Sequence, residues 1–180
     1  MSASPIVAVF GGSATRPGDA DYDDAIEAGA LLATAGFRIA TGGYGGVMEA
    51  AAVGATRAGG EAIGVTVPTV FPARRGANDY ISSEVRTASL TERIHEMVSM
   101  SAASLALPGS IGTLTELVVV WNEAFVTRFS EGSPKPVVTV GETWKRLVAD
   151  IGGLLNTDAT VVACHDTVGE AVADLVERLS

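Results

Sequence analysis

The chain holds one cysteine, Cys164, two histidines, His95 and His165, and two lysines, Lys135 and Lys145, in 180 residues. A lone cysteine cannot close an internal disulfide, and with the histidines apart in sequence it cannot build a zinc cluster of the Cys/His kind, so no metal is expected and a reducing compartment fits best. A pyridoxal Schiff base needs a lysine deep in a site. Lys135 stands between two prolines and Lys145 on a late, exposed-looking helix, so that chemistry is excluded. Positive charge is scarce as well: 12 Lys and Arg stand against 21 Asp and Glu, a formal net charge of -9. That balance excludes a broad nucleic-acid or anionic-membrane surface, both of which need clustered basic residues, while leaving room for a small anion in a local pocket. Long apolar runs are missing too. Ile6–Phe10 is too short for a signal core or a membrane span, and Met1–Pro5 before it carries no basic region, so a cytoplasmic protein with no membrane partner is expected.

Several chemical signatures are absent. A dinucleotide fingerprint would place G-x-G-x-x-G after the first strand and an acid at the end of the second. The chain instead has Gly11-Gly12-Ser13 and Ala40-Thr41-Gly42 there, which excludes nicotinamide and flavin dinucleotide chemistry, and no cofactor is expected. No glycine-rich turn carries the lysine of a P-loop, and no G-x-S-x-G elbow is present. Cys164 and His165 read as a core residue and a turn residue.

What the chain does have is apolar content, 47% of residues, ample for one large core. Short β-branched runs alternate with helical spacing. Ile6–Phe10, Arg38–Thr41, Ala62–Val67, Ser104–Leu107, Val137–Val140 and Thr160–Ala163 read as strands, with Glu84–Thr87 a weaker one. Asp21–Ala35, Gly46–Ala58, Leu90–Ser101, Thr113–Val126, Thr143–Leu155 and Val168–Leu179 read as helices. A βαβα order with near-continuously apolar strands predicts an α/β Rossmann-like fold: a doubly wound parallel sheet in a three-layer αβα arrangement, one domain over residues 1–180. The apolar surplus over only 18% charged residues predicts a homo-oligomer with a hydrophobic interface. Pro68–Ser83, with Arg74 and Arg75, is the least regular stretch. It reads as a solvated loop, the alternative being a lid over the site.

Three glycine-bearing turns fall at carboxyl ends of strands, where open α/β sheets bind ligands. They are Gly11-Gly12-Ser13, then Gly42-Gly43-Tyr44-Gly45-Gly46, then Pro108-Gly109-Ser110-Ile111-Gly112-Thr113. The third opens into a helix, so its backbone N–H groups and the helix N-terminus form a seat for phosphate. Glu116 follows one turn later. Thr113-x-x-Glu116 also fits a capping box, the structural alternative for that carboxylate. Arg93 shares a helical stripe with Met97 and Met100, the face turned toward protein, although Glu92 and Glu96 beside it would allow exposed ion pairs. Tyr44 and Met48 are placed to flank a base, with core packing the favoured role for Met48.

At Gly42-Gly43-Tyr44-Gly45-Gly46-Val47-Met48-Glu49-Ala50 and Pro108-Gly109-Ser110-Ile111-Gly112-Thr113-Leu114-Thr115-Glu116 the chain resembles the LOG ("Lonely guy") family of phosphoribohydrolases, often mislabelled lysine decarboxylases. The resemblance runs in order through Val126, and Arg93 and Met97 stand where the family carries an arginine and, four residues on, a methionine. It implies hydrolysis of a nucleoside 5′-monophosphate, AMP or a cytokinin riboside monophosphate, to free base and ribose 5-phosphate. Arg93 and Glu116 would be catalytic, and Gly12, Ser13, Gly42, Gly43, Gly45, Gly46, Met97, Pro108, Gly109, Ser110, Ile111, Gly112 and Thr113 would bind substrate. It also implies a homodimer. Three positions depart from the family pattern: Ser110 replaces the middle glycine of P-G-G, Ile94 replaces a lysine, and Gly45–Met48 varies the second turn. More loosely the chain is similar to the molybdenum-cofactor carrier branch of the superfamily, which implies the alternative of a non-catalytic protein that holds a phosphorylated ligand.

Overall fold

The computed structural model describes residues 4–73, 76–130 and 132–180. Seven strands form one parallel sheet: β1 (Ile6–Phe10), β2 (Arg38–Thr41), β3 (Ala62–Thr66), β4 (Ser83–Arg86), β5 (Ala103–Ala106), β6 (Val137–Val140) and β7 (Val162–His165). Their order across the sheet is β4-β3-β2-β1-β5-β6-β7. The chain therefore winds outward from β1 to one edge, returns to the centre at β5, and winds outward to the other. β1 is the pivot, its Val7 facing Ile39 on one side and Ala103 on the other.

Alternation along the strands sorts side chains to two faces, as a pleat requires. Val7, Val9, Leu105 and Val138 pack under α1 (Ala20–Thr34), α2 (Val47–Arg57) and α6 (Val168–Leu179). Ala8, Phe10, Ala106 and Val137 pack under α3 (Leu90–Met100), α4 (Ile111–Thr127) and α5 (Glu142–Leu155). The result is the three-layer, doubly wound α/β fold expected from the sequence. Among the described residues no helix is long and apolar enough to cross a membrane.

Four local expectations are corrected. The βαβα order breaks once, since among the described residues no helix connects β3 to β4, yet the two strands pair in parallel from Ile63 with Ser83 to Thr66 with Arg86. Pro68 and Pro72 remove two amide donors and fix φ within that crossover, which stops a helix from propagating. The last strand begins later than Thr160, because Asp158 accepts from the Thr160 amide at 2.8 Å and winds Ala159–Val161 into a 3₁₀ turn. His165 is not a turn residue: it ends β7, and its Nε2 lies 3.0 Å from Asp174 Oδ2 on α6. Finally, α4 starts at Ile111 with Ser110 in the N-cap position, so Thr113 is already inside the first turn. The Thr113–Glu116 capping box is therefore not formed, since a cap must precede the helix it closes.

Candidate functional site

The backbone of Gly12 ties the three turns together. Its N–H donates to Pro108 O at 3.0 Å, and its carbonyl accepts from Val47 N–H at 2.9 Å. The turn after β1 is thus bonded to the turn after β5 on one side and to the start of α2 on the other. These contacts leave no volume for side chains. A Cβ at Gly109 would lie 2.1 Å from Thr113 Oγ1, and one at Gly46, which has φ of +74°, would lie 2.4 Å from Gly12 O. Leu114 N–H closes the first α4 hydrogen bond to Ser110 O at 2.9 Å. The amides of Ile111, Gly112 and Thr113 precede it and have no intrahelical acceptor, which is the donor arrangement that suits an anion.

Beside this rim lies a cavity of about 230 Å³, walled by Ser13, Met48, Phe71, Leu90, Arg93 and Glu116 together with Ser110, Gly112 and Thr113 of turn and helix. Arg93 reaches it from α3 and is only 9% exposed. Its Nε donates to Val65 O at 2.8 Å, its Nη2 lies 3.4 Å from Met48 Sδ, and its guanidinium carbon is 5.6 Å from the Tyr44 ring centroid. Glu92 accepts from the Ala88 amide at 2.7 Å, and the burial of Arg93 sets aside the exposed ion pairs that Glu92 and Glu96 would allow.

Glu116 extends from the second turn of α4. It keeps a partial opening to the cavity, but protein atoms crowd its carboxyl, and that desolvation pushes its pKa up to about 7 against the opposing pull of the Arg93 charge. Desolvation favours the neutral acid and a nearby cation favours the carboxylate; here the first effect is larger. A carboxyl that titrates near neutrality beside a buried arginine is the arrangement general acid–base chemistry uses.

The predicted site residues separate into three groups. Arg93, Glu116, Ser13, Ser110, Gly112 and Thr113 come together on the small cavity. Gly12, Pro108 and Gly109 join Ser13 and Ser110 on a larger neighbouring crevice of about 570 Å³, which extends over Thr15, Asp21, Glu142 and Trp144. Ile111 is 75% exposed and contributes its first-turn amide, and Gly45 lines a third depression with Ser13, Tyr44 and Asn78. Met97, Gly42, Gly43 and Gly46 are placed otherwise. Met97 is 0% exposed and packs in the core under α3, because one helical turn carries it from the rim to the sheet. Gly42, Gly43 and Gly46 are buried beneath the rim and serve its backbone path.

The irregular crossover is more than a solvated loop. Asn78 donates through Nδ2 to Tyr44 O at 2.9 Å and through its backbone N–H to Gly43 O at 2.8 Å, which staples the loop to the second turn. Tyr44 Oη accepts from Val67 N–H at 2.9 Å, and Phe71 meets the Tyr44 ring edge-on at 5.5 Å while walling the cavity. Arg74 and Arg75 lie outside the described residues. Sequence reasoning missed Phe71 and Asn78, which no periodicity marks. Leu90 was findable, since it precedes Arg93 by three residues on one helical face. Among the described residues, no three His, Cys, Asp or Glu side chains gather as a metal site.

A doubly wound sheet whose glycine-bearing turns stand beside an acid and an arginine defines a Rossmann-like protein. The chain belongs to the SLOG cluster4 family, which it matches over residues 4–142. It is 33% identical over 137 residues to the cytokinin riboside 5′-monophosphate phosphoribohydrolase of Mycobacterium tuberculosis, a match covering 74% of this chain and 70% of that protein. The LOG resemblance read from the two glycine-rich runs therefore holds. Among solved structures, the molybdenum cofactor carrier protein of Chlamydomonas reinhardtii is similar with a TM-score of 0.77 and 27% identity, covering 98% of this chain and 99% of that one. The molybdenum cofactor binding protein of Rippkaea orientalis is similar with a TM-score of 0.74 and 26% identity, covering 98% and 97%.

Proposed function

We propose that the protein hydrolyses the N-glycosidic bond of a nucleoside 5′-monophosphate, AMP or a cytokinin riboside monophosphate, to free base and ribose 5-phosphate. The observation that carries this reading is Glu116, a carboxyl desolvated to titrate near 7 and set beside Arg93 in a cavity rimmed by helix-start amides. Ribosyl transfer to water passes through a cation-like state at C1′, which a carboxylate at close range stabilises. The phosphate rests on the amides of Ile111–Thr113. Glu116 as carboxylate aligns the attacking water and takes its proton as the oxygen bonds to C1′. The bond to the base nitrogen breaks with its electron pair on the base, where the Arg93 charge eases the departure before protonation. Relatives named as phosphoribohydrolases support the same reading.

The two carrier structures favour a second reading, because they share the fold over 98% of the chain with TM-scores of 0.74 and 0.77. In it the same cradle holds a phosphorylated ligand, and Glu116 and Arg93 orient that ligand without bond cleavage. A screen of nucleoside 5′-monophosphates for released base, run beside a thermal-shift panel that includes phosphorylated pterins, separates the two. Base release from the wild type that Glu116→Gln abolishes supports the hydrolase. Ligand-induced stabilisation with no base released from any monophosphate replaces it with the carrier.

The homodimer belongs to the same proposal. Val118 and Leu155 share a shallow apolar groove between α4 and α5, and Val126, Phe129 and Leu154 are exposed on the same two helices or at their ends. Covering such side chains with a second copy removes apolar area from water. Light scattering is expected to give twice the chain mass, and a monomeric mass at micromolar concentration would reject this.

A further inference from the structure

Arg93 occupies space that residue 42 would otherwise fill. A Cβ built on Gly42 falls 1.4 Å from Arg93 Nη2, 2.6 Å from its Cζ and 2.6 Å from Met48 Sδ. Gly43, the next residue, has φ of +73°, a backbone that L side chains rarely adopt. Gly42 has no positive φ, so its backbone would accept another residue and glycine is required there by the Arg93 guanidinium and the Met48 thioether beside it. Around the fork Met48 Sδ stands 3.4 Å from Nη2, the Tyr44 ring lies 5.6 Å from the guanidinium carbon, and Val65 O holds Nε at 2.8 Å. A buried guanidinium needs such fixed partners, since a cation in protein without them is strongly disfavoured.

We propose that Gly42 and Met48 are positioning residues for the reaction: the space left by Gly42 and the Met48 thioether fix the Arg93 guanidinium where its charge acts on Glu116. The proposal rests on the hydrolase reading for its kinetic consequence, and on geometry alone for the placement of Arg93. The second turn would then serve catalysis through a side chain on α3 rather than by touching ligand. Its Gly-Gly start divides the labour, with Gly42 making room and Gly43 making the turn.

The test is Gly42→Ala and Met48→Leu. Leucine keeps the volume of methionine and removes the sulfur. The primary readout is the Glu116 carboxyl titration, followed by ¹³C NMR in the intact chain, with the pH profile of base release measured in parallel. Gly42→Ala is expected to displace the guanidinium and move the Glu116 midpoint upward, leaving about tenfold less carboxylate at pH 6 for each pH unit of movement. The basic-side rise in kcat should shift with it while KM changes less. Met48→Leu should move both in the same direction by a smaller amount. A Glu116 titration unchanged in Gly42→Ala overturns the proposal. If that variant does not fold, Met48→Leu decides alone, and an unchanged midpoint there overturns it equally. A wild type that releases no base, yet shows the shifted titration in the variants, rejects the hydrolase reading and leaves the positioning intact.

Discussion

Two cavities share Ser13 and Ser110, and they differ in nearly everything else. The larger, at the point where strand order reverses between β1 and β5, presents Asp21 and the exposed Glu142 to open solvent. The smaller has under half that volume and walls one carboxyl among Met48, Phe71 and Leu90 with a buried arginine at hand. Open α/β sheets bind ligands at the reversal point, and volume alone would select the larger crevice. Reactivity follows desolvation and a fixed partner instead, and of the acids named on the two cavities it is Glu116 that is desolvated beside an arginine.

The sharpest way to break this contrast is to neutralise one acid from each cavity. Glu116→Gln keeps shape and removes the negative charge, so kcat for base release is expected to fall by about 10²- to 10⁴-fold, the range for loss of a positioned general base. Glu142→Gln should change it by no more than about twofold, as exposed substitutions do. A larger loss from Glu142 than from Glu116 would move the chemistry to the reversal-point crevice.

Stability should respond in the opposite direction. The folded-state pKa of Glu116 is raised from 4.5 to about 7, so between those values the folded chain binds more protons than the unfolded one. Its contribution to stability is present below pH 4.5 and is lost as pH rises through 7. At pH 8 the wild type carries this ionisation cost and Glu116→Gln does not. The variant is therefore expected to be more stable by about 3 kcal/mol at pH 8, with a correspondingly higher melting temperature, and nearly equal at pH 4.5. Base release should rise across the same interval if the carboxylate is the active form. A variant less stable than wild type at pH 8 would mean that Arg93 compensates the carboxylate fully.

The difference between the two cavities was only half legible in the sequence. The strands and the turns at their ends follow from β-branched runs and glycine clusters, whereas the roles of Arg93 and Glu116 are what the LOG resemblance implies. Met97, which the LOG resemblance implies as a substrate residue, lies in the core instead, because one stripe of α3 includes both a rim residue and a core residue. The β3–β4 crossover was illegible for another reason. Its fold depends on Asn78 bonding to Gly43 and Tyr44, some 34 or 35 residues away in sequence, and no local pattern encodes a contact of that range. The capping box failed because the N-cap falls at Ser110, three residues before Thr113, an offset of the size that helix boundaries read from sequence carry.

Asn78 gives the next effect in size. Asn78→Ala removes Nδ2 bonds to Gly43 O and Tyr44 O and the Oδ1 acceptor for Tyr80 N–H. The loss should be about 1–2 kcal/mol in unfolding free energy. KM is expected to rise more than kcat falls, because the loop that carries Phe71 to the cavity wall is loosened while Glu116 and Arg93 stay in place. Equal losses in both parameters would show instead that the loop supports the acid and the arginine themselves.

Ser110→Gly should have the smallest effect, and it bears on both cavities at once because Ser110 lines each of them. Ser110 stands at the N-cap of α4 with φ of -117° and ψ of -160°, ordinary extended backbone, and its side chain makes no capping bond. Glycine at an N-cap costs only a few tenths of a kcal/mol even where serine does cap, so stability should hardly move. An extended backbone also means the serine imposes no strain on the amides that follow, and affinity for a phosphate-bearing ligand should stay within about threefold, well under 1 kcal/mol. Isothermal titration with AMP reads this directly. A tenfold gain would show that the hydroxymethyl group obstructs the amide cradle, and that its presence where the LOG pattern has glycine weakens the grip on phosphate at the boundary between the two cavities.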